Sequence, residues 1–143
     1  MIREIFTGLA FATMLAGGAL AETHEVRRLT KGDAGKMVFE PDFLQIAPGD
    51  AVVFVPTDKS HNAESIKGMM PDGAKKFKGK VNKEVEATFD VEGVYGVMCK
   101  PHYAMGMVMT IAVGDVDKAP EDFFEGRVPK KAKKRFEKQL SKL

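Results

Sequence analysis

The stretch Cys99–Met107, CKPHYAMGM, joins two apolar segments of this 143-residue sequence. The short apolar run Val94–Met98 leads into it. After it, four apolar residues occupy alternate positions, namely Met107, Met109, Ile111 and Val113. Such alternation is typical of a β-strand with one buried face. The stretch is therefore predicted to be a loop between two strands that carries a thiol, an imidazole and a thioether close together.

The chain before this loop is predicted to form further short strands. Apolar runs separated by Gly, Pro and Asp predict strands at 26–29, 37–39, 43–46, 51–55 and 85–89. The stretch Lys59–Lys83 is rich in Lys, Gly and Met, and we expect it to be irregular. Strand and helix patterns do not alternate along the chain. The predicted fold class is therefore all-β, a Greek-key β-sandwich.

The C-terminal part of the sequence has a different character and predicts two short helices. Ala119–Gly126 begins with Pro and acidic residues and ends with Gly, which is typical of a short helix. Pro129 could open a second helix, and one apolar stripe follows helical spacing: Val128, Ala132, Phe136, Leu140 and Leu143. We expect this stripe to pack against the sandwich. A basic helix lying on a membrane surface is the alternative.

The N-terminus predicts export. Arg3 precedes the apolar stretch Ile5–Leu20, and Ala19-Leu20-Ala21 is an A-x-A cleavage site. Residues 1–21 are therefore predicted to be a signal peptide, with a buried N-terminal helix as the alternative. Residues 22–143 are then one domain, with the sandwich reaching to about residue 117 and the helical extension spanning 118–143. This predicts a soluble periplasmic protein that does not insert into the membrane.

The net charge and the cysteine content limit the classes of function that fit this sequence. The formal net charge is only +2, which argues against a nucleic-acid partner. Cys99 is the single cysteine, whereas exported proteins usually carry cysteines in disulfide pairs. A lone thiol in an oxidising compartment could form an intermolecular disulfide, act as a nucleophile, remain buried and inert, or bind a metal.

The metal interpretation is favoured because further ligand types accompany the cysteine. His102 and Met107 share its loop, and His61 follows the predicted strand 51–55. Two histidines and a cysteine with a weak axial methionine are typical of blue-copper electron-transfer sites. Zinc gains little from a thioether and would prefer a fourth Cys, His or carboxylate. His24 is interpreted as a surface or structural residue.

Other functions remain possible but explain less. A multicopper enzyme needs additional histidines, and this chain has three in all. A cysteine hydrolase with His61 or His102 as base would require a helix or cleft that the sequence does not suggest. The protein is therefore predicted not to be an enzyme. A periplasmic copper-binding or delivery protein is the remaining alternative, because Met69, Met70, Met98 and Met105 could bind copper at an exposed site.

The spacing Cys-x-x-His-x-x-x-x-Met, with Ser60-His61-Asn62 upstream, resembles the small blue-copper proteins, the cupredoxins. The loop, the following segment Val108–Asp115 and the C-terminal extension resemble the pseudoazurin branch of that family. This resemblance implies a monomeric periplasmic one-electron carrier with one copper ion that cycles between Cu(I) and Cu(II). It also implies redox partners, namely denitrification enzymes such as nitrite reductase and c-type cytochromes.

The resemblance assigns roles to single residues. Cys99 would be the strong thiolate ligand, His61 the inner imidazole, and His102, after Pro101, the ring that passes electrons at the surface. Asn62 would brace the site by hydrogen bonding near the sulfur. Met107 is preferred over Met105 as axial ligand, because it shares the parity of the final strand and matches the longer loop spacing.

A docking surface for partners is predicted around His102. Its apolar part comprises Pro101, Met37 and Met105, and its charged part is a set of lysines in neighbouring loops that includes Lys31, Lys59 and Lys78. Acidic residues lie mostly in other segments: Glu84, Glu86, Asp90, Glu92, Asp115 and Asp117. The near-neutral total is therefore expected to hide a separation of charge that steers acidic partners.

Overall fold

The computed structural model describes residues 20–143. Most of the predicted signal peptide, residues 1–19, lies outside these residues, so this prediction and the domain boundary at 21/22 stay predictions. Leu20, Ala21 and Glu22 precede the first strand without regular structure. Between residues 20 and 143, no helix combines the length and the apolar character needed to cross a membrane.

The described chain forms two four-stranded sheets packed face to face, which confirms the predicted β-sandwich. The strand order is β2-β1-β4-β6 in the first sheet and β3-β8-β7-β5 in the second. The strands are β1 (Thr23–Gly32), β2 (Gly35–Glu40), β3 (Phe43–Ile46), β4 (Asp50–Val55), β5 (Glu64–Ser65), β6 (Val85–Phe89), β7 (Gly93–Met98) and β8 (Val108–Val113).

The connections between the sheets give the Greek-key arrangement and decide which chain ends meet. β3 and β4 are consecutive but lie in different sheets, as do β6 and β7. β1 pairs in parallel with β4, and β3 pairs in parallel with β8, whereas the other strand pairs are antiparallel. Because parallel strands end on the same side, the segments after β1 and β4 leave the sandwich together.

Strand β8 is buried on both faces, since every residue from Val108 to Val113 is buried. Met107, Met109 and Ile111 face the core between the sheets, where Val26, Phe54 and Val97 are also fully buried. The other face of β8 lies under the helix α1 (Lys130–Leu140), whose Ala132 and Phe136 are fully buried beside Val108. The predicted packing of the apolar stripe on the sandwich is therefore what the structure shows.

One of the two predicted C-terminal helices does not form. Ala119–Gly126 contains turns, held by i→i+3 hydrogen bonds from Phe123 N–H to Pro120 O and from Glu125 N–H to Asp122 O. A helix this short recovers few hydrogen bonds for the cost of nucleation. Phe123 and Phe124 instead pack against Phe136, with ring centroids 5.8 and 6.2 Å away, so tertiary contacts determine this segment.

Candidate metal centre

Three connections meet at one end of the sandwich, which we call the site end: residues 56–63 after β4, residues 79–82 before β6, and the loop Cys99–Met107 between β7 and β8. Backbone hydrogen bonds join the first two, from Gly79 N–H to Ala63 O and from Asn82 N–H to His61 O. The third closes on itself, because Cys99 N–H donates to Met107 O over 2.9 Å and Met107 N–H donates to His102 O over 3.2 Å. The loop ends are thereby held in one place.

The donor atoms of His61, Cys99 and His102 converge at this end and lie within 4.8 Å of one another. The two Nδ1 atoms are 3.0 Å apart, and Cys99 Sγ lies 3.7 Å from Nδ1 of His61 and 3.4 Å from Nδ1 of His102. His61 and Cys99 are buried, whereas His102 is half-buried. Both rings thus turn the same nitrogen toward the thiol, and one ring reaches the surface.

His61 is oriented by the strand beside it. Thr30 in β1 places Oγ1 3.0 Å from Nε2 of His61, which leaves Nδ1 to face the thiol. The backbone just before His61 makes a tight turn, since Ser60 has φ 75°, and Ser60 N–H donates to Oδ1 of Asn82 over 2.6 Å. A ring fixed through its second nitrogen is the usual arrangement of a metal-binding histidine.

Asn62 links the two segments that carry the donors. Its Oδ1 accepts a 2.8 Å hydrogen bond from Lys100 N–H, and its Nδ2 donates over 3.1 Å to Gly79 O. It is buried, and its backbone N–H faces the sulfur of Cys99. Asn62 therefore lies where the resemblance expected a bracing residue.

The loop from Lys100 to Met105 forms a 3-10 helix, whereas its sequence predicts only a loop. Pro101 is well suited to its first turn, because a proline has no N–H to leave unpaired there. Gly106 ends the helix with φ 88°, a conformation that glycine adopts without strain. The two methionines differ sharply: Met107 is fully buried at the start of β8, whereas Met105 is 46% exposed.

Burial sets the protonation of the donors. It raises the pKa of the Cys99 thiol, although the backbone N–H groups of Asn62 and His102 and the charge of Arg28 act in the opposite direction. Burial also lowers the pKa of His61, and the neighbouring His102 lowers it further. Both directions favour neutral groups, so a metal ion that binds here must displace the thiol proton.

Three residues that the sequence analysis did not single out shape this site: Thr30, Asn82 and Arg28. Arg28 is fully buried and donates from Nη2 to Lys83 O over 2.7 Å, while its Nε and Nη1 have no hydrogen-bond partner among the described residues. The alternation of β1 could have identified Arg28, because it shares the parity of the buried Val26. A charged residue on the parity of a buried strand face is an informative signal.

The docking residues expected from the sequence lie around the site end. Lys31 and Lys59 are exposed on the segments after Thr30 and before His61. Lys78 and Pro101 are exposed and line one cavity of about 510 Å³, together with Val81, which is 44% exposed and was not predicted. Met37 is half-buried and lines a second groove with Met105, about 470 Å³ in volume.

His24 lies at the other end of the sandwich, at the start of β1. Its Nε2 is 2.9 Å from Oδ2 of Asp50, whose carboxylate also accepts hydrogen bonds from Glu22 N–H and Ala47 N–H. Asp50 thus ties the first strand to the turn before β4. This agrees with the structural role expected for His24.

The donor set fits a soft metal ion, because two imidazole nitrogens and a thiol converge in a buried pocket beside a buried thioether residue. Residues 26–114, more than half of the chain, match the family model described as copper binding proteins, plastocyanin/azurin family.

Individual relatives agree with this match. The chain is 46% identical over 129 residues to a pseudoazurin of Paracoccus pantotrophus, which covers 90% of this chain and 89% of the relative. The crystal structure of pseudoazurin from Methylobacterium extorquens AM1 superposes with a TM-score of 0.78 at 43% identity, covering 84% of this chain and 98% of that one. The structure of native pseudoazurin from Hyphomicrobium denitrificans gives 0.76, also at 43% identity, over 85% and 98%. The chain therefore belongs to the pseudoazurins, which form part of the plastocyanin/azurin family of copper-binding proteins. Pseudoazurins are single-copper electron carriers and are not enzymes.

Proposed function

We propose that this protein is a soluble, monomeric, periplasmic one-electron carrier whose copper ion is held by His61, Cys99, His102 and Met107. We further propose that it donates electrons to denitrification enzymes such as nitrite reductase and exchanges them with c-type cytochromes. The observation that carries the proposal is the convergence of Nδ1 of His61, Nδ1 of His102 and Sγ of Cys99 within 4.8 Å at one end of the sandwich.

The protein's contribution is to hold these side chains in one arrangement. When bound, the copper ion supplies the one-electron chemistry by cycling between Cu(I) and Cu(II). Thr30 holds the ring of His61, Asn62 joins the His61 and Cys99 segments, and the hydrogen bonds between Cys99 and Met107 close the loop. Side chains that cannot rearrange keep the cost of changing the charge at the centre low.

Electron exchange requires one ligand that reaches the protein surface, and His102 is the ligand placed to do so. His61, Cys99 and Met107 are each at most 1% exposed, whereas His102 is half-buried beside the exposed Pro101. Pro101, Met105 and Val81 are exposed apolar residues on segments at the site end, and Lys31, Lys59 and Lys78 are exposed lysines on segments at the same end. A small apolar patch with charges around it suits a partner that binds weakly and leaves quickly.

Copper delivery, the alternative function, is supported less well. A delivery site must release its ion to another protein and therefore favours exposed, flexible ligands. Here the thiol and the inner imidazole are fully buried and hydrogen-bonded at several points. Met69, one of the methionines that favoured delivery, is also buried at 2% exposure.

Copper titration followed by electron transfer tests the proposal. Cu(II)-loaded protein should absorb intensely in the visible region because of thiolate-to-copper charge transfer, and a mild reductant should bleach it. The reduced protein should then be reoxidised by a nitrite reductase in a stopped-flow mixing experiment. His24→Gln is the matched control, since it removes the third histidine and should leave the colour unchanged. A colourless loaded protein would refute the copper site, and a coloured protein that no reductase reoxidises would refute the partner.

Periplasmic localisation needs a separate measurement. The native gene product, expressed with its own N-terminus, should appear in the periplasmic fraction with an N-terminus at Glu22. Recovery of the uncleaved chain in the cytoplasm would contradict this part of the proposal.

A further inference from the structure

The C-terminal helix α1 lies directly against the loop that carries three of the proposed ligands. A Cβ atom placed on Gly106 would lie 3.2 Å from the backbone of Lys131, so the helix backbone and the loop are in close contact there. Gly106 immediately precedes Met107 in the chain. The helix is therefore placed to influence how the loop ends and where β8 begins.

Arg135 turns this contact into a set of hydrogen bonds. Its Nη1 donates to Gly106 O over 2.9 Å and to Met37 O over 2.6 Å, and its Nη2 donates to Lys36 O over 2.7 Å. One half-buried guanidinium thus joins three chain segments: the helix, the end of the ligand loop and the start of β2. Hydrogen bonds from a charged donor are stronger than neutral ones, and the planar fork fixes their directions.

Met37 needs such support. Its φ is 53°, in the left-handed region that residues other than glycine seldom occupy. A conformation of this kind persists only where the surroundings over-determine it. The hydrogen bonds of Arg135 to the carbonyls of Lys36 and Met37 hold the backbone on both sides of this angle.

The helix does not depend on Arg135 for its attachment. Gln139, 1% exposed, accepts a hydrogen bond from Oγ1 of Thr110 and donates to Val108 O, over 2.9 and 3.0 Å. Ala132 and Phe136, which belong to the apolar stripe of the helix, are also fully buried. These contacts anchor α1 to β8 without Arg135. The guanidinium of Arg135 can therefore act on the loop and does not have to hold the helix in place.

We propose that Arg135 is a positioning residue for the copper centre: by binding the carbonyls of Gly106 and Met37 it fixes the end of the ligand loop, and hence the placement of Met107. The inference rests on the proposed ligand set. It also gives the C-terminal extension a role in the metal centre, beyond covering the outer face of β8.

Two substitutions and a control test this role. Arg135→Lys keeps the charge but loses the fork, and Arg135→Gln loses both. Lys134→Gln, at the exposed neighbouring position, removes a charge from the same helix but leaves the hydrogen bonds of Arg135 in place. Each variant is studied copper-free by amide hydrogen exchange, and copper-loaded by visible and electron paramagnetic resonance spectroscopy and by its reduction potential.

In both Arg135 variants, exchange at the hydrogen-bonded amides of Gly106 and Met107 should accelerate by about tenfold, the equivalent of one lost hydrogen bond to a charged donor. The relative intensities of the charge-transfer bands and the reduction potential should shift in both variants and stay unchanged in Lys134→Gln. The exchange measurement needs no metal, so it tests the contact even if the ligand assignment fails.

Unchanged exchange, spectrum and potential in Arg135→Lys would overturn the proposal. Equal shifts in Arg135→Gln and Lys134→Gln, with none in Arg135→Lys, would also overturn it, because the effect would then come from charge alone. If Arg135→Gln does not fold, Arg135→Lys decides the question.

Discussion

Cys99 has a sulfur that is fully buried, faces two imidazole rings and lies near the backbone N–H groups of Asn62 and His102. A buried thiol without a metal would gain little from so many polar neighbours. We therefore predict that Cys99→Ser abolishes the intense visible absorption and electron transfer while the domain stays folded. The hydroxyl is nearly isosteric but is a poor ligand for a soft metal. Visible spectra and circular dichroism of the copper-loaded variant measure both effects. Retained blue colour would remove Cys99 from the site.

The two methionines of the loop give a second prediction at this scale. Met107 is fully buried and tied to the loop through its backbone, whereas Met105 is 46% exposed. Met107→Gln should keep copper but shift the reduction potential and the spectrum, because the axial ligand tunes both. Met105→Gln should leave both nearly unchanged and serves as the control. If only Met105→Gln produces the shift, the axial assignment is wrong.

The proposed ligands could be predicted from the sequence because their residue types and spacing are rare in combination. Their supports could not be predicted so easily. Thr30 and Asn82 act on His61 from segments that are distant in sequence, and a Thr or Asn in a strand or turn has many ordinary roles. Only the strand pairing brings them to the same end of the sandwich. Arg135 is the extreme case, since it reaches Met37 from 98 positions away.

At the scale of elements, the contact between α1 and β8 carries a third prediction. Gln139 is 1% exposed and satisfies both Thr110 Oγ1 and Val108 O. Gln139→Leu should lower the free energy of unfolding by about 1–3 kcal/mol, because it leaves buried polar groups without partners. Lys138→Leu, at the exposed preceding position, should change it by less than about 0.5 kcal/mol. Urea denaturation of both variants provides the comparison, and equal stabilities would show that the pair contributes nothing.

The elements themselves differ in how well their patterns predict them. The strands were predictable because apolar alternation and turn residues agree along most of the sandwich. The helix α1 was predictable because its apolar stripe spans three turns. Ala119–Gly126 was not, because start and stop signals mark where a helix could lie but do not make it stable. There, the packing of Phe123 and Phe124 against Phe136 prevails over local propensity.

At the scale of the whole molecule, the carboxylate of Asp50 joins several chain segments at the end opposite the site. Hydrogen bonding from Glu22 N–H, together with that from His24, holds the pKa of Asp50 below its ordinary value. A lowered pKa in the folded state means that the unfolded chain binds protons more readily. The stabilisation is therefore fully present above about pH 4, the ordinary value for Asp, and is lost as the pH falls through the lower folded value.

This linkage predicts the behaviour of Asp50→Asn. The variant should be less stable than the parent at pH 7, and the difference should shrink as the pH falls below about 4. Thermal unfolding between pH 7 and pH 2.5 measures it, with Asp117→Asn as a control at an exposed carboxylate. A stability difference that is independent of pH would show that the Asp50 side chain acts through its shape and not through its charge.

The distribution of charge over the two ends gives the last prediction. Lys31, Lys59 and Lys78 are exposed around the site end, whereas Asp90, Glu92, Asp115 and Asp117 are exposed on segments that follow β6 and β8 at the other end. Glu84 departs from the expected separation, because it is exposed directly before β6 and so lies at the site end. A formal net charge of +2 therefore hides a dipole that can orient the molecule toward an acidic partner.

Steering of this kind raises the association rate more than the affinity, and salt screens it over roughly 8–10 Å at physiological ionic strength. Lys59→Glu combined with Lys78→Glu should lower the second-order rate of electron transfer to an acidic reductase by about tenfold in dilute buffer, and by much less at high salt. Lys118→Glu reverses one lysine near the other end and should lower the rate only slightly. The visible spectrum should be the same in all variants, because the substituted side chains are exposed and are not among the proposed ligands. Stopped-flow measurements over a range of salt concentrations provide the test. A rate that ignores both salt and the reversals would leave the apolar surface of Pro101, Met105 and Val81 as the sole basis of docking.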